Sequence, residues 1–189
     1  MSYTITKTEL QDAYIIEPKV FGDNRGYFFE SFTKKDLLPV FDGEFVQDNQ
    51  SLSAVKGVIR GLHCQAGSSC QAKLVRVIQG EVDDVIVDVR KGSPSYLKWI
   101  RVRLSGENHK MLFIPKGFLH GFVTITDNVI FAYKCDEYYD KSSEQGVRYN
   151  DPAFGIDWGV DHPVLSDKDL KNPLFKDSGI SFTYKRKLQ

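Results

Sequence analysis

The sequence is short of several things, and each shortage excludes something. Among 189 residues there are three cysteines, Cys64, Cys70 and Cys135, an odd number with no regular spacing. That speaks against a disulfide framework and against a zinc motif built on paired cysteines, and it suits a reducing compartment, the cytoplasm. Neither charge is in excess: 25 Lys and Arg balance 25 Asp and Glu. Nucleic-acid binders usually carry a basic surplus, so no nucleic-acid partner is expected, whereas a small anionic ligand needs only a few local cations. No stretch approaches the roughly 20 apolar residues of a membrane span, so no membrane partner is expected. The first ten residues lack the apolar run and cleavage pattern of a signal peptide. What remains is an ordinary globular mix, 41% hydrophobic and 26% charged, of a length that predicts one domain over 1–189.

Aromatic and β-branched residues fall in short runs cut by Gly, Asp, Asn and Pro. The runs predict strands over 27–32, 45–49, 58–63, 74–78, 85–89, 97–104, 111–114, 121–125 and 129–134. Helical periodicity is confined to two short pieces, 34–38 and 167–171. Many short strands with turns every 8–12 residues predict an all-β sandwich, jelly roll or barrel with a few short helices.

Successive strand residues point to opposite faces, so parity carries information. Val85, Val87 and Val89 share one face and should be core. Lys73 shares a face with Val75 and Val77, and Tyr133 with Val129 and Phe131. Glu30 lies between Phe28 and Phe32, while Gln47 and Asn49 follow Phe45 on one face. Polar groups thus recur on stripes that begin as core. A buried polar group without a partner costs roughly 1–3 kcal/mol. Either those stripes line a polar, ligand-sized cavity inside a barrel, or they face solvent.

Two clusters carry the chemistry, Gly57-Val-Ile-Arg-Gly-Leu-His-Cys-Gln65 and Pro115-Lys-Gly-Phe-Leu-His120. Together they resemble the two halves of the cupin signature, and the resemblance implies a double-stranded β-helix jelly roll. Metal-binding cupins usually present two histidines and a carboxylate in the first half and a third histidine in the second. Here His63 and His120 match one position in each half, Gln65 replaces the second histidine, and Lys73 offers an ammonium where a ligand would be wanted. Two imidazoles beside a cation make a poor divalent site, so no metal and no cofactor is expected. Acid–base chemistry then falls to side chains. His63 suits a general base near neutrality, Tyr133 an acid, and Lys73 a cation beside a developing oxyanion. Each has a plainer reading: a bonded core histidine, a bonded core aromatic, a lysine reaching out from a strand end.

In order along the chain, Phe21-Gly-Asp-Asn-Arg-Gly-Tyr-Phe-Phe-Glu-Ser-Phe32, Phe45-Val-Gln-Asp-Asn49, Ile59-Arg-Gly-Leu-His63, Lys73-Leu-Val-Arg-Val77, Pro115-Lys-Gly-Phe-Leu-His-Gly-Phe122, Tyr133-Lys-Cys135, Asp151-Pro152 and Leu165-Ser-Asp-Lys-Asp169 resemble the dTDP-4-dehydrorhamnose 3,5-epimerase family. The likeness runs from about Tyr14 to about Leu174. It implies an epimerase acting on C3 and C5 of a nucleotide-linked 4-keto-6-deoxyhexose, a homodimer whose N-terminal strands cross to the partner, and a short helical C-terminal tail. It implies His63 as base, Asp169 as its carboxylate partner, Tyr133 as acid and Lys73 near the C4 oxygen. It implies Arg25 and Arg60 at the pyrophosphate, Glu30, Gln47 and Asn49 at the nucleotide, Tyr139 and Glu144 at the base, and His120 and Lys168 as further substrate contacts.

Local sequence adds tensions. Ser166-Asp-Lys-Asp169 has the spacing of a helix capping box, so Asp169 has a second claim on it. Arg60 and His63 fall on opposite faces of one strand unless Gly61 carries a bulge. Cys64 stands where the family commonly has Tyr, the loop Ala66-Gly-Ser-Ser-Cys70 departs from the family, and the basic tail Lys185-Arg-Lys187 has no assignment. The rival readings are a 3-epimerase or 3,4-ketoisomerase of the same fold, a metal-dependent cupin, and a non-catalytic binding module.

Overall fold

The computed structural model describes residues 2–185. Its strands are β1 (Tyr3–Lys7), β2 (Tyr14–Pro18), β3 (Phe21–Asp23), β4 (Gly26–Phe28), β5 (Gln47–Ser53), β6 (Ile59–Gln65), β7 (Lys73–Gln79), β8 (Glu81–Asp88), β9 (Arg90–Lys91), β10 (Trp99–Ser105), β11 (Met111–Ile114), β12 (Phe118–Thr124), β13 (Val129–Cys135), β14 (Glu144–Gly146) and β15 (Phe182–Thr183). Two short helices, α1 (Lys34–Leu37) and α2 (Asp167–Lys171), complete the regular elements. Six strands form one sheet in the order β1-β2-β11-β7-β13-β5, and five form the other in the order β10-β8-β12-β6-β14. This is the cupin jelly roll, with short helices only.

Three apolar layers hold it. Val75, Val77, Leu112 and Phe131 from the six-stranded sheet meet Ile86, Leu104 and Phe122 from the other, and Phe122 stacks on Phe131 at 4.3 Å. The outer face of the five-stranded sheet, with Val85, Val87, Leu119 and Val123, is covered by Val147, Phe154, Trp158 and Ile180. The outer face of the six-stranded sheet, with Ile16, Leu74, Met111 and Phe113, is covered by Leu37 of α1 and by Phe32, Phe41 and Phe45. Parity therefore identifies Val85 and Val87 as core, but in the outer layer. The inner face of β8 carries Val82, Asp84 and Ile86.

Some boundaries differ from the sequence reading. β1 and β2 have no predicted counterpart, and the predicted strand over 27–32 ends at Phe28. Beyond it, Phe29 packs on His109 and Phe32 packs edge-on against Phe45, so these rings are half-buried one by one without a ladder. Glu30 is consequently exposed, not part of a cavity stripe. Gln47 and Asn49 begin β5 and do not end a strand. Among the described residues the C-terminal segment is only partly helical: a 3₁₀ turn at Phe175–Asp177 leads to β15, which pairs in parallel with β9. Residues 186 and 187 of the basic tail lie outside the described residues.

Candidate active site

The interior between the sheets opens into a cavity of about 580 Å³. One wall is the six-stranded sheet, which contributes Asn49, Lys73, Phe131 and Tyr133; the other is the five-stranded sheet, which contributes Arg60, His63, His120 and Phe122. Ser166, Lys168 and Asp169 close it from α2 and its cap. Ladder register explains the first wall. Tyr133 stands opposite both Asn49 and Val75, and cross-strand partners share a face. Lys73, two residues before Val75, joins that face with its ammonium 5.7 Å from the Tyr133 ring centre. The stripe of mixed polarity is an interior surface.

Arg60 and His63 reach the same cavity because the register slips between them. His120 pairs with His63, but Phe122 pairs with Arg60, and the slip falls opposite Gly61. Gly61 has φ +123°, and a Cβ there would lie 2.6 Å from Gly121 Cα, so two glycines permit the close approach. The bulge that the sequence required at Gly61 is present. Arg60 then spans to the other sheet, donating to Ser53 Oγ and to the Leu52 carbonyl, each at 3.1 Å.

The ring of His63 is held by Asp169, Nε2 to Oδ1 at 2.5 Å, which leaves Nδ1 as the nitrogen without a protein partner. Asp169 is buried, and burial opposes its charge. Bonds from His63 and Ser166 outweigh that and hold the carboxyl below the usual aspartate value. Ser166 serves both claims on Asp169. Its Oγ caps α2 by accepting the Asp169 N–H at 3.1 Å and donates to Oδ2 at 2.9 Å. The helix cap and the carboxylate partner involve the same two residues.

Burial pushes the Tyr133 phenol above its ordinary value, so it stays protonated near neutrality. His120 is paired with Asp84, Nε2 to Oδ2 at 2.9 Å. Asp84 has no exposed surface, its Oδ1 has no partner, and desolvation pushes its carboxyl up against the opposing pull of His120. Asp84 was not among the residues expected from the sequence. Its signal was present, an acid between Val82 and Ile86 on an apolar face.

Other expected residues lie at the mouth of the cavity. Gln47 Oε1 accepts the Tyr139 N–H at 2.9 Å, the Tyr139 hydroxyl donates to Glu144 at 2.8 Å, and Glu144 pairs with Lys168 at 2.5 Å. Two expected contacts are not brought to this cavity by their own chain. Arg25 sits at the turn of the β3–β4 hairpin, paired with Asp23, and Glu30 bonds Ser2. Among the described residues, no group of three or more His, Cys, Asp or Glu side chains is arranged to hold a metal ion.

The fold is a cupin jelly roll, and comparison with known proteins places the chain among isomerases of that class. The chain belongs to the dTDP-4-dehydrorhamnose 3,5-epimerase family, whose model matches residues 7–177. It is 49% identical over 176 residues to the dTDP-4-dehydrorhamnose 3,5-epimerase of Shigella flexneri, covering 92% of this chain and 97% of that protein. It is similar to a solved epimerase of Legionella pneumophila in complex with dTDP-4-keto-L-rhamnose, with a TM-score of 0.92, 44% identity, and 97% and 100% of the two chains covered. A solved epimerase of Bacillus anthracis with TDP and PPi bound gives a TM-score of 0.89 at 47% identity, over 92% and 99% of the chains.

Proposed function

We propose that this protein converts dTDP-4-dehydro-6-deoxy-D-glucose to dTDP-4-dehydro-L-rhamnose by inverting C3 and C5 in turn. The observation that carries the reading is the placement of His63 and Tyr133 on opposite sheets of one cavity, with Lys73 beside Tyr133. The C4 carbonyl acidifies the hydrogens on both neighbouring carbons. His63 takes one as a proton at Nδ1, and the C–H electron pair moves into an enolate whose oxygen is stabilised by the Lys73 ammonium. Tyr133 gives its phenolic proton to the carbon from the other face; solvent then restores that proton and takes up the one held by His63. His63, made cationic in the step, is balanced by Asp169, as a base oriented by a carboxylate requires. Base, acid and cation are all side chains, so the mechanism calls on no metal or cofactor. Where metal-binding cupins carry a second histidine, Gln65 has its oxygen engaged by a backbone N–H.

Arg60 faces the pyrophosphate, Asn49 and Gln47 supply polar contacts to the nucleotide, and His120 is a further substrate contact. Tyr139, Glu144 and Lys168 receive the nucleobase at the mouth. Arg25 and Glu30 act in trans in a homodimer. The β3–β4 hairpin is a separate two-stranded sheet that exposes Phe21, Tyr27 and Phe28, a surface suited to a second copy. Three buried free thiols suit a reducing cytoplasm. No helix among the described residues is long and apolar enough to cross a membrane.

The test is incubation with dTDP-4-dehydro-6-deoxy-D-glucose in heavy water, read by NMR. The expected result is deuterium at C3 and C5 and the L-rhamno product. Label at C3 alone would make it a 3-epimerase, and no label would leave a binding module. Mixed dimers of Arg25→Ala and His63→Ala subunits test the exchange of residues between copies by regaining activity that neither parent has.

A further inference from the structure

Two consecutive amides at the cavity mouth are held by carboxamides from opposite sheets. The Tyr139 N–H donates to Gln47 Oε1 of β5, and the Asp140 N–H donates to Gln65 Oε1 of β6, each at 2.9 Å. Gln65 lies on the same strand face as His63, two residues on, and is only 5% exposed. It does not line the sugar cavity. Its position opposite Glu144 in the β14–β6 ladder, and the Ala66 N–H bond to the Ser143 carbonyl, fix the C-terminal end of the segment it grips. Within that segment the Asp140 side chain is occupied by Ser142 and Ser143, and the two glutamines hold the backbone N–H groups of the turn from opposite sheets. Beyond it the bonds continue from Tyr139 to Glu144 to Lys168, whose neighbour Asp169 holds His63.

We propose that Gln65 is a positioning residue for nucleotide recognition: its oxygen sets the 139–140 turn so that the Tyr139 ring and the Glu144 carboxylate meet the base. The inference rests on the reading that Tyr139 and Glu144 receive the base. The physical ground is the asymmetry of buried hydrogen bonds. Losing the acceptor leaves the Asp140 N–H without its partner, and the turn regains freedom that ligand binding must then remove. The effect falls on binding and not on proton transfer, because Gln65 touches neither the sugar cavity nor His63.

The experiment compares Gln65→Met, which keeps the length and removes the acceptor, with Gln65→Glu, which keeps an acceptor. In Gln65→Met the Kd for dTDP and the KM for the sugar nucleotide should rise about tenfold, the order of one lost buried hydrogen bond, with kcat within about threefold. The Kd for inorganic pyrophosphate, which lacks the base, should stay unchanged, and Gln65→Glu should recover most of the loss. A purely structural role would lower Tm and the active fraction with KM unmoved, and would overturn the proposal, as would equal weakening of dTDP and pyrophosphate. Should Gln65→Met fail to fold, Gln65→Asn, one CH₂ short of Asp140, carries the same expectation. Tyr139→Ala separates the two readings. If it leaves dTDP binding intact, the base does not sit there; if it weakens binding while Gln65→Met does not, only the positioning role is lost.

Discussion

His63 and His120 face each other as partners in the β6–β12 ladder, and each imidazole is backed by its own buried carboxylate, Asp169 for the first and Asp84 for the second. The two carboxyls are shifted in opposite directions. Asp169 is held below the usual carboxylate range by its hydrogen bonds, whereas burial without a partner on Oδ1 pushes Asp84 up. An ionised carboxylate can stabilise an imidazolium that forms during catalysis; a carboxyl driven toward its neutral form mainly holds its ring in place. Asp169→Asn should therefore cost about 10–100-fold in kcat, and Asp84→Asn, which keeps the shape, should cost much less. Steady-state kinetics on both variants decides it, and equal losses would remove the distinction.

His63→Ala should remove about 10²–10⁴-fold of the rate of solvent deuterium uptake at C3 and C5. Tyr133→Phe should behave differently, because it removes the acid and leaves the base. Uptake should persist, while the proton returns from the wrong face and the L-rhamno product falls. NMR of the recovered sugar nucleotide reads both. Uptake at the wild-type rate in His63→Ala would reassign the base.

The Tyr133 phenol is shifted above its ordinary value of 10.0 by burial. Its protonated form is the working form, so the alkaline limb of kcat should lie above pH 10.0 and should disappear in Tyr133→Phe. A pH–rate profile measured from pH 7 upward checks this; a limb that survives the substitution belongs to another group.

Away from the cavity, Asp88 is buried with Arg90, Ser93 and Ser95 as partners, and Arg90 also reaches Asp12 and lies over the rings of Phe118 and Tyr184. Burial opposes the Asp88 charge, and the bonds from Arg90 and the two serines more than offset it, so its folded-state value is depressed. Such a group adds stability that is complete above the unfolded value, 3.8, and is lost as pH falls through the folded one. Asp88→Asn should cost on the order of 3 kcal/mol at pH 7, since it leaves a buried guanidinium underpaired. The gap in Tm from wild type should be full above pH 3.8 and narrow below it. Thermal melts across pH test the sign.

Where sequence and structure agree, the information is local. Val75 and Val77 next to Lys73 mark an interior stripe, and Ser166 with Asp169 marks the start of α2, because strand parity and helix capping are short-range effects. Disagreement begins where a residue's surroundings come from distant chain. The adjacent Asp83 and Asp84 look alike in sequence, yet alternation sends Asp83 outward to Arg103 and Asp84 inward to His120. β1 and β2 depend on each other and on β11, with weak patterns of their own. The aromatics over 29–32 mimic a strand, but each ring finds a separate partner. The mouth is the hardest part to foresee, since Tyr139 and Glu144 acquire their places from Gln47, Gln65 and Lys168, on three different elements.

The hydroxyl of Ser166 merges two events that are usually separate. Coiling of a five-residue helix and the grip on the carboxylate that holds His63 share one oxygen atom. A modest loosening at that terminus, far too small to unfold the barrel, would leave the imidazole without its counter-charge, so a polypeptide that still melts as a native protein could nonetheless be chemically silent.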